Sequence, residues 1–344
     1  MVITSTKNQM KGKLLYYSIV VALAGFLFGF DTIVINGAEQ DLQRMWQDYT
    51  IFGSNDIFHG WVVVASALWG TVIGAMFGGI PNDKIGRRST LILIGVLYTV
   101  SAAGSAVVSD PWTFVFFRFL GGLGVGASTI AAPAFVSEIA PADKRGQLVA
   151  LYQLNIVFGI LVAFVSNYLI GTFILSDAWR WMIGVEAIPA LVYTLLVTKV
   201  PRSPRWLIVK KGDLTAAKKV FAEIYSPDEV EKQVALVQEQ GEAEPQKKEW
   251  LFTSKYKVPI MLAFAISFFN QFSGINALLY YATRIFESAG LEGQAGLLGS
   301  VGLGVANLIF TILGVVLIDR LGRRQLMYIG SVGYIKIIEP ITPN

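Results

Sequence analysis

Apolar residues are gathered along the chain in eight blocks, each about 20 residues long or more and almost free of charge. They lie at 14–35, 58–80, 89–109, 112–137, 146–171, 181–200, 257–288 and 295–318. A helix of that length crosses the hydrocarbon of a bilayer, so the pattern predicts an all-α polytopic membrane protein. The breaks are short except for 201–256, which is polar throughout. That segment opens with "PRSPRWLIVKKGDLTAAKKVFAEIY", a helical pattern started by prolines, and runs into "EQGEAEPQKKE". It predicts a small cytoplasmic helical linker. Residues 1–200 then form a six-helix unit, and 257–344 a partial second unit of two spans plus a fragment. Lys7, Lys11 and Lys13 precede the first block as they would in a signal peptide. The block is too long for that and lacks a small-x-small cleavage site, so a retained first helix is expected.

The breaks sort by charge. Lys84, Arg87 and Arg88 follow the second block, Lys144 and Arg145 the fourth, six Lys and Arg residues from Arg202 to Lys219 the sixth, and Arg320, Arg323 and Arg324 the eighth. The odd-numbered exits carry mostly acids: Glu39, Asp41, Asp48 and Asp56, then Asp110, Asp177, and Glu287 with Glu292. The positive-inside rule puts the N-terminus and the even exits in the cytoplasm; the expected location is an inner (plasma) membrane. Composition agrees: 54% of residues are hydrophobic and 15% charged, where soluble domains carry about a quarter charged. The net charge of +4 fits basic loops on one membrane face rather than nucleic-acid binding. The chain has no cysteine, which excludes disulfides and thiolate chemistry. The single histidine, His59, sits beside a predicted loop with no second ligand-like group in view, and is read as solvated. No cofactor, metal site or nucleophile–base constellation is expected, hence no enzyme.

"DKIGRR" at 83–88 returns as "DRLGRR" at 319–324. Six spans separate the copies, so both lie on one membrane face, as in transporters built from two parallel six-helix repeats. A second unit of equal length would end near about residue 436, about four spans further on. The tail "YIKIIEPITPN" reads as a short ninth apolar segment that fails at Glu339-Pro340. The chain is therefore expected to be a truncated or frame-shifted product, or a fragment. Gly86 and Gly322 permit a sharp turn between helices, and Asp83 and Asp319 can pair with Arg87, Arg88, Arg323 and Arg324. Two copies at matched topology favour a role in a conformational cycle over simple anchoring.

Charged residues inside spans are costly and mark function. Asp31 in "GFLFGFDT", Arg118 in "FVFFRFLGG" and Glu186 in "WRWMIGVEAIPA" all fall in the outer halves of their spans. One arginine and two carboxylates at similar depth can neutralise one another, and such a carboxylate can exchange a proton when the bundle opens. The alternative is a fixed structural ion pair. Gln153 and the run Asn270, Gln271, Asn276, Tyr280 and Tyr281 form a second, uncharged set. Amides and phenols both donate and accept hydrogen bonds, which suits a neutral polyhydroxyl ligand such as a sugar. Interhelical hydrogen bonding is the alternative. Gly274 can loosen the helix where these groups cluster. The glycines of "GGLGVG" (121–126) lie inside an apolar helix and read as close helix packing, not a dinucleotide loop.

Taken together, "GFLFGFDT", "DKIGRR", "RFLGGLGVG…EIAPADKRG", "LYQLNIVFGI", "PRSPRWL", "NQFSGINALLYY" and "DRLGRR" resemble the sugar porter family of the major facilitator superfamily, over roughly residues 14–334. The resemblance implies that Gln153, Gln271, Asn276 and Tyr280 bind a monosaccharide, with Phe28 lining the site. It implies that Asp31, near Arg118 and supported by Glu186, carries proton coupling, because facilitative members have a neutral residue at that place. Glu138 and Arg145 join the loop residues in the conformational cycle. Three departures stand out: Asn270 replaces the first of paired glutamines, Arg202 replaces an acid after the first proline, and the later helices are missing. The expected protein is a secondary active sugar transporter of major facilitator type, a proton symporter working by alternating access, monomeric when complete. A facilitative uniporter, a non-transporting receptor or scaffold, and an inactive fragment are the alternatives. Which sugar is bound is not legible.

Overall fold

Each apolar block closes its own backbone hydrogen bonds as a helix, as a single segment crossing hydrocarbon must. The computed structural model describes residues 2–142, 144–174, 176–242, 253–291 and 293–338, with backbone alone for 2–11, 242, 319, 323 and 334–338. Among the described residues eight helical stretches are long and apolar enough to cross a membrane: Gly12–Gly37, Asn55–Phe77, Arg87–Val107, Pro111–Ile139, Arg145–Phe173, Ala178–Val197, Ser254–Tyr280 and Gln294–Ile318. They coincide with the eight predicted blocks to within a few residues at most ends. The seventh falls short, because Gly274 (φ +78°) and a break at Tyr281 divide it into Lys257–Phe272, Ile275–Tyr280 and Ala282–Ser288. The sixth is likewise divided, into Ala178–Gly184 and Ala187–Val197, with Glu186 at the break. A last helix, Arg323–Ile338, occupies the start of the predicted ninth segment; the tail from Glu339 lies outside the described residues.

The first six spans pack as one bundle. The second and third lie against the fourth, and the first lies against the fifth. The glycines of 121–126 make the closest approach possible. A Cβ on Gly122 would stand 2.0 Å from the Ala67 carbonyl oxygen, and one on Gly126 2.2 Å from that of Thr71. Small residues let helix backbones meet where lipid offers no hydrophobic drive. On the opposite side of these helices Trp69, Val72, Met76, Ile188 and Leu195 are exposed, as lipid-facing side chains must be.

Basic loops and linker share one end of the bundle. The linker forms helices at Leu214–Ala222 and Pro227–Glu242, the first capped by Asp213 accepting from the Ala216 N–H at 2.9 Å. Trp206, Phe221, Tyr225 and Val237 from this segment share a buried cluster with Leu14, Tyr17, Val136 and Ile139 at the ends of the first and fourth spans. Tyr17 donates to Glu223 at 2.5 Å, and Lys13 adds an ion pair at 3.3 Å. Linker residues 243–252 lie outside the description. At the other end Ile35, Leu42, Trp46, Phe58, Phe114, Trp179 and Tyr280 form a separate cluster.

The seventh and eighth spans meet the six-helix unit along their halves nearer this second end. Leu279 and Ala282 join Phe30, Ile33 and Phe164, and the eighth span runs along the fifth. The half of the seventh span nearer the linker, Lys257–Phe272, has no buried residue.

Candidate functional site

Among the described residues Arg118 is the largest fully buried side chain, 1% exposed. Its Nη1 donates to Asp31 Oδ1 at 2.5 Å and its Nη2 to the Asp31 carbonyl oxygen at 3.0 Å. Gly121, one helical turn along from Arg118, lets its helix close on the third span: a Cβ there would stand 2.4 Å from Ser101 Oγ, with Asp31 Oδ1 in ordinary contact at 3.5 Å. Glu186, from the break in the sixth span, is equally buried and lies beside both Asp31 and Arg118. Neither of its carboxyl oxygens accepts a hydrogen bond. The three residues expected to share a depth are thus brought together, Asp31 and Arg118 as a close pair and Glu186 as a carboxyl against Asp31.

The amide set is distributed along the seventh span. Asn276 Nδ2 donates to Gln271 Oε1 at 2.6 Å across the Gly274 turn. Gln153, Asn270 and Gln271 are exposed and Phe28 is half-buried. Tyr280, one turn beyond Asn276, is buried and stands near Arg118 and Asp31. Its carbonyl oxygen accepts from Asn36 Nδ2 at 2.9 Å. Among the described residues no hydrogen bond joins Gln153 to the seventh span.

The first basic loop is fully engaged. Gly86 holds φ +88° with the Trp206 ring against it, where a Cβ would be 3.0 Å away. Arg87 binds Glu138 Oε1 through Nε at 3.1 Å and Nη2 at 2.9 Å, and Asp83 Oδ1 through Nη1 at 3.1 Å. Arg88 reaches the Thr198 carbonyl. Ser203 donates to the other oxygen of Glu138, and Trp206 Nε1 donates to the Asp83 carbonyl at 2.9 Å. "PRSPRWL" therefore docks on this loop through Ser203 and Trp206, next to the departure at Arg202. Arg145 opens the fifth helix and is exposed. In the second copy Gly322 repeats the turn at φ +78°, and Arg324 contacts only Tyr328 of its own helix, at 3.3 Å. The side chains of Asp319 and Arg323 lie outside the described residues.

One expectation is reversed. His59 is buried, 3% exposed, and its Nε2 lies 3.2 Å from Glu39 Oε2. Glu39, read as one of several acids at a solvated exit, is fully buried and also binds Arg284 through both oxygens, at 2.9 and 2.7 Å. Arg284 additionally donates to Gln43 at 2.5 Å. Beside this cluster Thr283 donates to Asn36 Oδ1 at 2.7 Å and contacts Ser300 at 3.0 Å. The short helix Glu39–Met45 sets Leu42, with Trp46 after it, into the apolar cluster at this end of the bundle, where Glu39 and His59 are buried. Arg284 was findable, since it is a charge inside the predicted block 257–288, and a charge in a span marks a site that needs a partner. Glu39 was not, because nothing local separates it from its acidic neighbours.

A family model described as sugar (and other) transporter matches residues 17–342. The chain is similar to the D-xylose transporter of Levilactobacillus brevis, 36% identical over 319 residues that cover 91% of this chain and 66% of that protein. It is 33% identical over 342 residues to the D-xylose-proton symporter of Escherichia coli K12, covering 92% and 69%. Its fold matches the major facilitator superfamily proton:xylose symporter XylE bound to 6-bromo-6-deoxy-D-glucose, with a TM-score of 0.82 at 32% identity, over 92% of this chain and 71% of that one. The chain spans about two thirds of the length of the curated relatives it matches. The shared region runs through the helices that carry the buried ion pair, the amides and both glycine-turn loops, and the chain belongs to the sugar porter family of the major facilitator superfamily, a family of transporters rather than enzymes.

Proposed function

We propose that this protein moves a monosaccharide together with a proton across a bacterial inner membrane by alternating access. The observation that carries the reading is the buried cluster of Asp31, Arg118 and Glu186. One guanidinium balances one carboxylate. With both carboxyls ionised the cluster holds a net negative charge in an apolar interior, and with one proton it is neutral. Opening toward the proton-rich side supplies that proton, and opening toward the cytoplasm lets it leave, with Arg118 offering the countercharge to the carboxylate left behind. The D-xylose-proton symporter among the relatives supports the same reading.

The sugar site in this proposal is Gln153, Asn270, Gln271, Asn276 and Tyr280, lined by Phe28. Among the described residues the Asn276–Gln271 hydrogen bond engages neither the amide N–H₂ of Gln271 nor the side-chain carbonyl oxygen of Asn276. A donor and an acceptor side by side match neighbouring hydroxyls of a pyranose. Asn276 and Tyr280 are four residues apart on one helix, so a ligand pulling on Asn276 is transmitted to the tyrosine standing against the proton cluster. Gln153→Ala and Gln271→Ala are each expected to weaken sugar binding by about 0.5–1.5 kcal/mol, roughly 2- to 12-fold in Kd. Equilibrium sugar binding to the purified protein measures this. Unchanged Kd in both variants would reduce the amides to helix–helix contacts and remove the sugar site.

The unit boundaries proposed are 1–200, 201–256 and 257–344, with a monomer embedded in the bilayer. Asp83, Gly86, Arg87, Arg88, Glu138, Arg145, Asp319, Gly322, Arg323 and Arg324 make up the loops that fasten and release the cytoplasmic side. In this orientation the N-terminus is cytoplasmic and Glu39, His59 and Arg284 lie at the outer mouth. Single cysteines placed in this cysteine-free chain test it. A membrane-impermeant thiol reagent added outside cells should label Asp110→Cys and spare Lys84→Cys and Lys218→Cys; the reverse pattern inverts the topology.

A further inference from the structure

We propose that Glu39, His59 and Arg284 form a proton-operated lock on the outer mouth, closed when Arg284 binds Glu39 and released as His59 takes up a proton. The proposal rests on the alternating-access reading above. Glu39 and His59 belong to the six-helix unit and Arg284 to the second unit, so the Arg284–Glu39 contacts at 2.7 and 2.9 Å tie the two units across the mouth. Opening that mouth separates them. Opening removes the cation that balances Glu39, and a countercharge that stays beside the carboxylate lowers the cost of that separation. His59 is positioned for this, with Nε2 at 3.2 Å from the carboxylate Oε2.

The closed geometry offers a second ring proton on His59 no partner. Arg284 already balances Glu39. Nδ1 of His59 is buried with no hydrogen-bond partner, so a second ring proton would point at nothing that accepts it. Once Arg284 withdraws, both objections vanish: the cation is gone and Nδ1 meets water. Opening is therefore accompanied by proton uptake, and acid outside favours the open mouth. The other charged or titratable groups around the cluster are Asp56, which accepts from Gln43 at 2.7 Å, and Tyr281, whose ring lies 5.8 Å from the Arg284 guanidinium and whose hydroxyl approaches Gly60. Gln40 adds a parallel strap to Glu287 of the second unit at 2.5 Å, and Arg44 is held by Asp41 on its own helix. Histidine is the side chain that changes charge across the pH range met outside a cell.

Ser300→Cys provides the reporter. Ser300 is 1% exposed and sits behind the Asn36–Thr283 contact, where outward opening would uncover it. The rate of labelling by an impermeant thiol reagent is measured in right-side-out vesicles at about pH 7.5 and about pH 5.5, a window that spans imidazole titration. At the higher pH the reporter with Arg284→Gln should label about tenfold faster than the reporter alone, the scale of one lost coupling contact. The ratio of labelling with His59 to labelling with His59→Gln should rise by about threefold or more on acidification, and Glu39→Gln should abolish the same rise. Both proteins in each ratio carry the same thiol, so its own ionisation cancels. Unchanged labelling in Arg284→Gln would overturn the lock, and a flat ratio for both His59→Gln and Glu39→Gln would overturn the role of the proton. Sugar counterflow in the same vesicles separates this from the transport reading. Expected labelling without counterflow removes the sugar and keeps the lock, whereas counterflow with flat labelling removes the lock alone.

Discussion

Asp31→Asn is expected to abolish accumulation of sugar against a gradient while leaving sugar binding and sugar-for-sugar exchange in place. One proton moved with each sugar draws on about 2.3 kcal/mol per ~100 mV of membrane potential, enough to hold roughly a 50-fold sugar gradient. An asparagine keeps the shape of the aspartate and still accepts from Arg118, but it cannot release a proton. It also leaves a neutral cluster, because Arg118 can then be balanced by Glu186, whose carboxyl already lies beside it. The variant should therefore fold. The measurement is a pair of assays on reconstituted protein: pH-driven uptake, where the accumulation ratio should fall to about one, the no-coupling limit, and counterflow, which should persist. If the variant still concentrates sugar under an imposed proton gradient, Asp31 is only a structural partner of Arg118 and the proton is coupled through another group.

Arg118→Gln should have the largest effect on stability. It removes the only cation that contacts Asp31 and faces Glu186 among the described residues. Removing one partner of a buried ion pair costs about 3–5 kcal/mol, because the remaining charge is left uncompensated. In detergent solution the apparent Tm should drop by roughly 10 °C. Adding Asp31→Asn in the same chain should restore most of the loss, since a neutral amide needs no cation and one protonated Glu186 is then sufficient. The coupling energy of the two substitutions is read directly from the cycle of single and double variants. An Arg118→Gln protein as stable as its parent would show that the pair contributes nothing to the folded bundle, and the proton cluster would lose its basis.

Much of this organisation was legible along the chain. The eight helices followed from uninterrupted apolar blocks, because hydrocarbon tolerates no unsatisfied backbone and a block of that length has one way to meet that demand. Asp31, Arg118 and Glu186 were identifiable as a group for a related reason: each charge inside a span needs a partner, and these three fall in the outer halves of their spans. Gly274 announced the division of the seventh span, since its left-handed conformation is one that other residues rarely adopt. The glycines at 121–126 likewise announced a close helix contact, now seen against Ala67 and Thr71.

The outer mouth was not legible in this way. Glu39 and His59 stand in stretches whose polarity resembles any exit from a membrane, and their burial depends on the helix Glu39–Met45 packing into the apolar cluster at that end of the bundle. The docking of Ser203 and Trp206 on the first basic loop was hidden for the same reason, as residue 203 and residue 138 are brought together only when the linker closes on the fourth span. Hydropathy is local: the solvent around a segment decides whether it becomes a helix, so sequence alone determined the spans, their order and the charges that could not stand alone. Pairing across distant segments depends on which faces of those helices meet. Only the tertiary structure decided that Arg118 closes on Asp31 with Glu186 against it, and that Glu39 turns inward to meet a histidine and an arginine from another unit.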